Sequence, residues 1–429
     1  MANTYLTKQM GAGTSGQKFT FSAWIKRSGL TQAQLWESYH ASNYRISLYI
    51  HSDNVLSLYA ESGASVIGQH KSTRVLRDTN AYYHIVYAVD TTQATSTNRE
   101  KFYINGELIP DSEMTGTNTY YTQNLSLPIG TSSYNHVIGR YSGDNNYFDG
   151  YMSHVHFTDG YTYDASAFGS TDATTGEWQI NTSPSVTYGN NGFFILKDGN
   201  SVTDQSGNSN NFTVGGGTLT KTEDSPSNVF ATWNALANQG SVPLYNGNTR
   251  AVFTAGGWNF VYSTLGASSG KYYYEVKAAN TGSDSNIGIM EMDTATNEQG
   301  TADNVGKNTE SVAYASNGSI KKNNVTVQTG LGSISTGNIL GIAMDLDNNT
   351  VQFYLQGVAR GTAVSIASDK TYAFATSGYT SAEHQTNFGN GYFETTAVSS
   401  AGTNASGNGI FEYDVPTGFT ALSTKGLNL

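Results

Sequence analysis

Residues 337–357, GNILGIAMDLDNNTVQFYLQG, leave little freedom in what they can form. Leu340, Ile342, Met344 and Leu346 alternate with Gly341, Ala343 and Asp345, the period-2 pattern of a strand that buries one face. Asp347-Asn348-Asn349 supplies short polar side chains that tolerate tight-turn geometry. Val351, Phe353 and Leu355 then resume the alternation, and Gly357 ends it. The stretch is a β-hairpin. The same unit stands earlier, in residues 84–108, HIVYAVDTTQATSTNREKFYINGEL. There Ile85, Tyr87 and Val89 lead into Asp90-Thr91-Thr92, and Phe102 and Ile104 precede Asn105-Gly106. One hairpin design in each half predicts two β domains, each with such a hairpin in its core sheet.

The bulk numbers agree. Charged residues make up 13%, about half the roughly 25% of an ordinary soluble domain. The polarity comes instead from Gly, Ser, Thr, Asn and Tyr. With 47 glycines against 6 prolines, this is the composition of many short strands joined by Gly/Asn/Asp turns. A net charge of −11 argues against a nucleic-acid groove, which needs clustered Lys and Arg. No apolar run approaches the roughly 18 residues of a bilayer span, so no membrane insertion is expected. The opening MANTYLTKQMGAGTSG lacks the charged-then-apolar layout of a secretory signal. Cysteine is absent, which removes disulfides and thiolate metal sites. Such a chain fits surfaces assembled inside a bacterium, such as virus particles.

In chain order, residues 1–203 form the first predicted sandwich. Strands fall at 45–49, 55–59, 84–90, 101–104, 137–140, 150–157 and 192–197, with Phe19, Phe21 and Ala23 marking another. Residues 159–190 turn polar but keep Tyr161, Tyr163, Phe168 and Trp178, which predicts an ordered surface excursion, since disordered segments are poor in aromatics. Residues 204–228, with Gly215-Gly216-Gly217 and Pro226, are the predicted connector. Residues 229–429 form the second sandwich, with strands at 272–276, 287–290, 311–315, 372–376 and 385–388 around the hairpin. The expected fold class is all-β: two antiparallel β-sandwich, jelly-roll-like domains.

Several motifs carry resemblances. FTFSAWIKRS (19–28), YYHIVYAVD (82–90), FYINGELI (102–109) and VIGRYSGDNNYFDGYMSHVHF (137–157) resemble, in order, four motifs of the concanavalin A-like/laminin-G-like lectin superfamily. Tyr82 stands where that family has Trp. Ser153-His154 replaces its usual Asp-Glu pair, which weakens the transfer of an acidic metal site. GKYYYEVKA (270–278), IGIM (287–290), the 337–357 hairpin and NFG (387–389) are similar to the motifs of SPRY domains, with Gln356 where Asn is usual. FEYDVPTGFTAL (411–422) resembles the tail that often follows such domains. The combination resembles virion surface, tail-fibre-type proteins of marine tailed phages. That resemblance implies a non-enzymatic virion protein, assembled in the bacterial host cytoplasm, with lectin-like domains for a host cell-surface glycan or protein. Its implied partners are other virion proteins and further copies of itself, a homotrimer being expected of a fibre. The alternatives are a capsid decoration or head-fibre protein and a polysaccharide-degrading enzyme. With no docking segment or coiled coil before the first sandwich, docking would fall to a domain face or to residues 159–234.

Candidate chemistry is sparse. Glu291, Asp293 and Glu298 are the carboxylates that come nearest to a glycosidase pair, but Glu298 is out of strand register. His154 and His156 are spaced to share a strand face, with Asp149 or Asp159 as possible co-ligands; two ligands at that spacing fall short of a zinc site. Asp90, Asp144 and Asp149 lie in predicted loops and offer the hard oxygens that suit calcium, the alternative being that they simply form turns. No Ser-His-Asp order, Gly-x-Ser-x-Gly elbow or phosphate loop is present. The one chemical excess is 29 tyrosines, flat apolar faces with polar tips that suit sugar rings and protein interfaces alike. Tyr120, Tyr121, Tyr134, Tyr141 and Tyr147 fall in or beside predicted loops of the first domain, and Trp258, Tyr379 and His384 in the second. These are the candidate ligand contacts, weighed against the packing of aromatics across strands.

Overall fold

Both hairpins form, and each turns into a third strand. Tyr83–Asp90 pairs antiparallel with Glu100–Ile104, placing Ile85 opposite Ile104 and Tyr87 opposite Phe102. Asn105 and Gly106, with φ +49° and +82°, then make the two-residue turn into Glu107–Leu108. Two left-handed residues are what a type I′ turn requires. Asn105 also closes the end of the ladder: its N–H donates to the His84 carbonyl at 2.9 Å, and its Oδ1 accepts from the His84 N–H at 2.8 Å. In the second half Ile339–Asp345 pairs with Thr350–Leu355. Gln356 and Gly357, φ +53° and +74°, turn the chain into Val358–Ser365. The Gln356 N–H donates to the Ile339 carbonyl at 2.9 Å, and its Oε1 accepts from the Ile339 N–H. Gln does the work of Asn here because the amide oxygen, not the side-chain length, completes the ladder.

The computed structural model describes residues 3–41, 43–127, 129, 131–197, 201–238, 242–254, 256–293 and 304–429. It divides into Met1–Lys221 and Thr222–Leu429. The first unit stacks two antiparallel sheets. One runs Thr213–Gly216, Tyr5–Gln9, Asn135–Ile138, Ala33–Ala41, Tyr44–Ile50, Val55–Ser62, Ser65–Val75. The other runs Phe193–Ile195, Gly150–Asp159, Lys18–Arg27, Tyr83–Asp90, Glu100–Ile104, Glu107–Leu108. Their inner faces meet in a core where Phe21 stacks on Trp36 at 5.3 Å and Tyr87 on Phe102 at 4.7 Å. Ala33–Ala41 and Ser65–Val75 were not among the expected strands. Both are rich in polar residues on their outward positions.

The excursion is ordered, as its aromatics imply, and it lies on the outer face of the second sheet. Ala165 and Phe168 are buried against Val86, with Tyr103, Tyr163 and Trp178 packed around them. Trp178 stacks on His84 at 5.9 Å and donates its indole N–H to His84 Nδ1 at 3.0 Å. The expected 204–228 connector needs correcting, because its first part belongs to the first sandwich. Phe212 is buried in that core, and Thr213–Gly216 pairs with Tyr5–Gln9. Asp204 fixes the loop before it, accepting from the N–H groups of Phe194, Ser206 and Asn210 at 2.9 Å each.

In the second unit one sheet runs Trp233–Asn238, Trp258–Ala267, Tyr372–Tyr379, Asp284–Glu291, Ser311–Ala315, Ile320–Lys322, Val325–Gln328. The other runs Leu244–Tyr245, Arg250–Phe253, Ala382–Asn387, Lys271–Thr281, Ile339–Asp345, Thr350–Leu355, Val358–Ser365. The outer faces of both are covered over their central strands, while the edge strands Val325–Gln328 and Val358–Ser365 stay largely exposed. Val305 packs on Phe260, Tyr262, Met290, Ala313 and Ala375 of the first. The C-terminal tail lays Phe411, Val415 and Phe419 on Tyr273, Ala343 and Tyr354 of the second. Glu275 latches that tail, accepting from the N–H groups of Glu412 at 2.8 Å and Tyr413 at 2.9 Å. Asn387 adds a bond from Nδ2 to the Ile410 carbonyl at 2.8 Å. A loop in the tail repeats the Asp204 loop: Asn404 accepts from Ser406, and Ser406 Oγ from the Asn408 N–H, as Asp204, Ser206 and Asn208 do.

Burial pushes the Glu275 carboxyl up to about 7 from 4.5, against the pull of the Glu412 and Tyr413 N–H groups. The folded unit therefore holds a proton that the unfolded chain has lost between pH 4.5 and 7. Stability contributed by the protonated form is complete below pH 4.5 and is lost as pH rises through 7, a fall on the order of 3 kcal/mol. Thermal unfolding between pH 4.5 and 8 should show that slope in the second unit, and Glu275→Gln should flatten it. An unchanged slope in the variant would assign it elsewhere. For the turn, Gln356→Ala should cost about 1 kcal/mol while Gln356→Asn matches or exceeds the wild type. Denaturant midpoints that rank Asn with Ala would sink the shared-acceptor reading.

Candidate functional site

Three of the four outer sheet faces are covered over their central strands by apolar side chains from the chain's own segments. The fourth, on the seven-stranded sheet of the first unit, carries a pocket. Alternation builds it. Along Tyr44–Ile50, Ile46, Leu48 and Ile50 enter the core, which turns Arg45, Ser47 and Tyr49 outward. Pairing on one side sets Glu61, Tyr59 and Ser57 opposite these three, and on the other Tyr39, Glu37 and Gln34. A loop then closes the rim: the Gln34 N–H donates to the Asn146 carbonyl at 2.8 Å, and the Ser142 N–H to Glu37 Oε2 at 2.7 Å. The result is a cavity of about 180 Å³, open to solvent, lined by Gln32, Gln34, Arg45, Ser47, Tyr49, Tyr59, Tyr141 and Asn146.

Arg45 is its centre. The guanidinium lies over the rings of Tyr59 at 5.6 Å and Tyr141 at 5.0 Å, and one of its N–H groups donates to the Tyr141 hydroxyl. Its other terminal nitrogen pairs with Glu61 at 2.9 Å, and the Tyr59 hydroxyl donates to the second Glu61 oxygen at 3.0 Å. Glu37, fully buried, accepts from Ser47 Oγ at 2.7 Å. Burial raises its pKa, against the opposing pull of Ser47, Ser142 and Arg45. Flat aromatic faces beside amide, hydroxyl and guanidinium groups equip the pocket to hold a polyhydroxylated ring.

Of the residues singled out in the sequence, Tyr141 alone lines this pocket. Trp258 and Tyr379 do come together, half-buried and edge-to-face at 5.8 Å, on paired strands of the second unit. Tyr120 is half-exposed, bonds Asp111 at 2.7 Å and lies against His70 at 4.6 Å; Tyr147 lies against Tyr5 at 6.4 Å. Tyr121, Tyr134 and His384 require correction as ligand contacts, because all three are buried. The Tyr121 hydroxyl meets that of Tyr87 at 3.0 Å inside the core, and Tyr134 packs on His40 at 5.1 Å. His384 sits between Thr376 Oγ1 at 2.6 Å and Ser285 Oγ at 2.9 Å, and burial lowers its pKa to about 3, which keeps the ring neutral. They lie on or beside strands and pack into the interior, so the loop positions read from local polarity mislead.

The metal expectations fare likewise. Burial works against the charge on Asp90, but Thr92, Gln93 and Lys18 (3.1 Å) more than offset it and hold the carboxyl below its ordinary range. Asp144 is taken by Arg140, and burial pushes Asp149 up, away from the ionised form a cation needs. Val155 and Phe157 point inward, a bulge puts His154 at φ +49°, and the excursion and Phe193–Ile195 enclose both histidines. His156 stacks on Phe194 at 3.9 Å and meets the Tyr188 hydroxyl at 3.0 Å. Asp159 accepts from the Thr14 and Asn191 N–H groups. Among the described residues no three His, Asp or Glu side chains gather as a metal site. Glu291 is buried, with Lys370 at 3.8 Å, and Glu298 lies outside the described residues. The seven other pocket residues went unnoticed. Their signal was the outward half of the alternation, Arg45-x-Ser47-x-Tyr49 beside Ser57-x-Tyr59-x-Glu61.

The concanavalin A-like lectin/glucanases superfamily matches residues 2–165, and the SPRY domain matches residues 271–391. No curated protein matches the chain. Among solved structures, the SPRY domain of human HERC1 is 15% identical, covering 36% of this chain and 96% of its own, with a TM-score of 0.30. The heptameric SAP-like pentraxin from Limulus polyphemus is 16% identical, over 36% of this chain and 70% of that one, with a TM-score of 0.27. No helix among the described residues is long and apolar enough to cross a membrane. The chain therefore joins a domain of the concanavalin A-like lectin/glucanases superfamily to a SPRY domain, two modules of the binding and recognition type.

Proposed function

We propose that the protein is a non-catalytic recognition protein on the surface of a bacteriophage particle, of tail-fibre or adhesin type. It engages a saccharide of the host envelope through the outer face of the first seven-stranded sheet. The observation that carries this reading is the distribution of covered faces: the chain's own segments occupy three, and the fourth presents an open pocket lined by Tyr49, Tyr59 and Tyr141 with Gln32, Gln34, Asn146 and Arg45. A pyranose has an apolar C–H face for the rings and a rim of hydroxyls for the amides. The cavity's 180 Å³ falls below the roughly 300–1,000 Å³ of a cleft for a drug-sized ligand, which suits a single ring. The two carboxylates nearby are held by Ser47, Ser142, Tyr59 and Arg45, an arrangement that fixes them as structural acceptors and supports binding without turnover. Placement on a phage particle draws on the order of the two modules and on the cysteine-free, Gly/Ser/Thr/Tyr-rich composition.

Purified protein should bind host envelopes and members of a glycan panel with no need for calcium. Tyr59→Ala and Tyr141→Ala should each weaken binding roughly 3- to 10-fold, the scale of one lost aromatic contact. Labelled protein should map to the tail in images of intact particles. Label on the head would instead establish the capsid-decoration role, and wild-type protein indifferent to every glycan and envelope would end the adhesion reading.

A further inference from the structure

We infer that the pocket selects uncharged saccharides over acidic ones, and that Glu61 is the residue that sets this choice. The inference rests on reading the pocket as a saccharide site and goes on to name the class. A partly buried arginine between two tyrosines would ordinarily draw a carboxylate, since its planar fork matches one bidentately. Here both terminal nitrogens of the fork are engaged, and the remaining Nε–H is buried. One terminal nitrogen is paired with Glu61 and the other bonds the Tyr141 hydroxyl. Glu61 is itself held in place by the Tyr59 hydroxyl at 3.0 Å, and only 8% of its side chain is exposed. Two strands away on the same face Glu37 adds a second carboxylate, opposite Ser47.

Among the described residues no other cation tips the balance. Lys71, on the next strand, pairs with Asp53, and Arg140 pairs with Asp144 and covers Tyr5. The face thus offers an incoming ligand one guanidinium set against two carboxylates, in a recess where charge is screened less than at open surface. A uronate or sialate would have to displace Glu61 from Arg45 and lie near a buried acid. A neutral ring would meet the amides of Gln32 and Asn146 at the rim, since Gln34 and Ser47 are bonded to Trp36, Leu48 and Glu37, and it displaces no ion pair on approach. Specificity of this kind comes from what the site repels.

The test is equilibrium binding of neutral hexose oligosaccharides and of uronate-containing ones to the full chain and to Glu61→Gln, at low and high salt. Wild-type protein should prefer the neutral set at least tenfold. Glu61→Gln keeps the shape but frees Arg45, so uronate binding should strengthen at least tenfold relative to neutral binding and become salt-sensitive. Arg45→Gln is the second variant, independent of whether the first folds: it leaves both carboxylates and should weaken uronate binding further. A wild-type preference for uronates that Arg45→Gln abolishes, or a ratio unmoved by Glu61→Gln, overturns the inference and leaves the saccharide site standing. Wild-type protein that binds neither set removes both.

Discussion

A two-sheet sandwich has four faces and hides only two of them, and the rest of this chain is organised around that constraint. Alternation buries Ile46, Leu48 and Ile50, or Leu340, Ile342 and Met344, and by the same geometry turns every second residue outward. What lies outward must be wet, or be covered. Covering a face with Phe168 and Trp178, or with Phe411, Val415 and Phe419, brings about 1.5–3 kcal/mol for each large side chain fully buried. It also shields sheet surface from unwanted partners. The excursion and the tail, which look like surplus sequence, are the outer layers of the two domains.

Polar groups enter with those layers and have to be satisfied where they land. His84 lies between Trp24 and Trp178, with Ser22 Oγ on one nitrogen and the Trp178 indole N–H on the other. Burial lowers its pKa to about 3, so it serves as a neutral polar spacer. Glu275 plays the corresponding part beneath the tail. In a catalytic reading, a carboxyl raised to about 7 marks a general acid. Here two backbone N–H groups and the Tyr273 hydroxyl account for its position, and the perturbation is the cost of holding the tail down.

The fold class was legible because period-2 alternation is a local signal, and the type I′ turns at Asn105-Gly106 and Gln356-Gly357 are written in adjacent residues. The site was not, for two physical reasons. Outward positions carry no apolar mark of their own, so Arg45, Tyr59 and Glu61 become a group only when two strands pair side by side. Burial by a distant segment is also silent in local sequence: nothing around His384 or Tyr121 announces the strands that cover them. Polar strands suffer the same way. Ser65–Val75 shows little alternation because its inward, buried positions, Gly68, His70 and Ser72, are themselves small or polar. The repeat of the Asp204 loop at Asn404 was readable as Asp/Asn-x-Ser-Gly-Asn, but its meaning, a turn that locks late-sequence chain onto an earlier sheet, needed the hydrogen bonds.

The placement of Tyr5–Gln9 bears on how the protein is made. This strand is hydrogen-bonded on one side to Asn135–Ile138 and on the other to Thr213–Gly216. At the roughly 5–20 residues per second of bacterial and eukaryotic synthesis, its last partner leaves the ribosome some ~10–40 s after it does. Over that interval Tyr5–Gln9 keeps one strand edge open on a nascent chain. Topologies dominated by such distant pairings fold slowly for the same reason, since the loop must close before any contact rewards it. The polar, glycine-flanked character of YLTKQMGAG suits a segment that has to wait in water without finding the wrong neighbour.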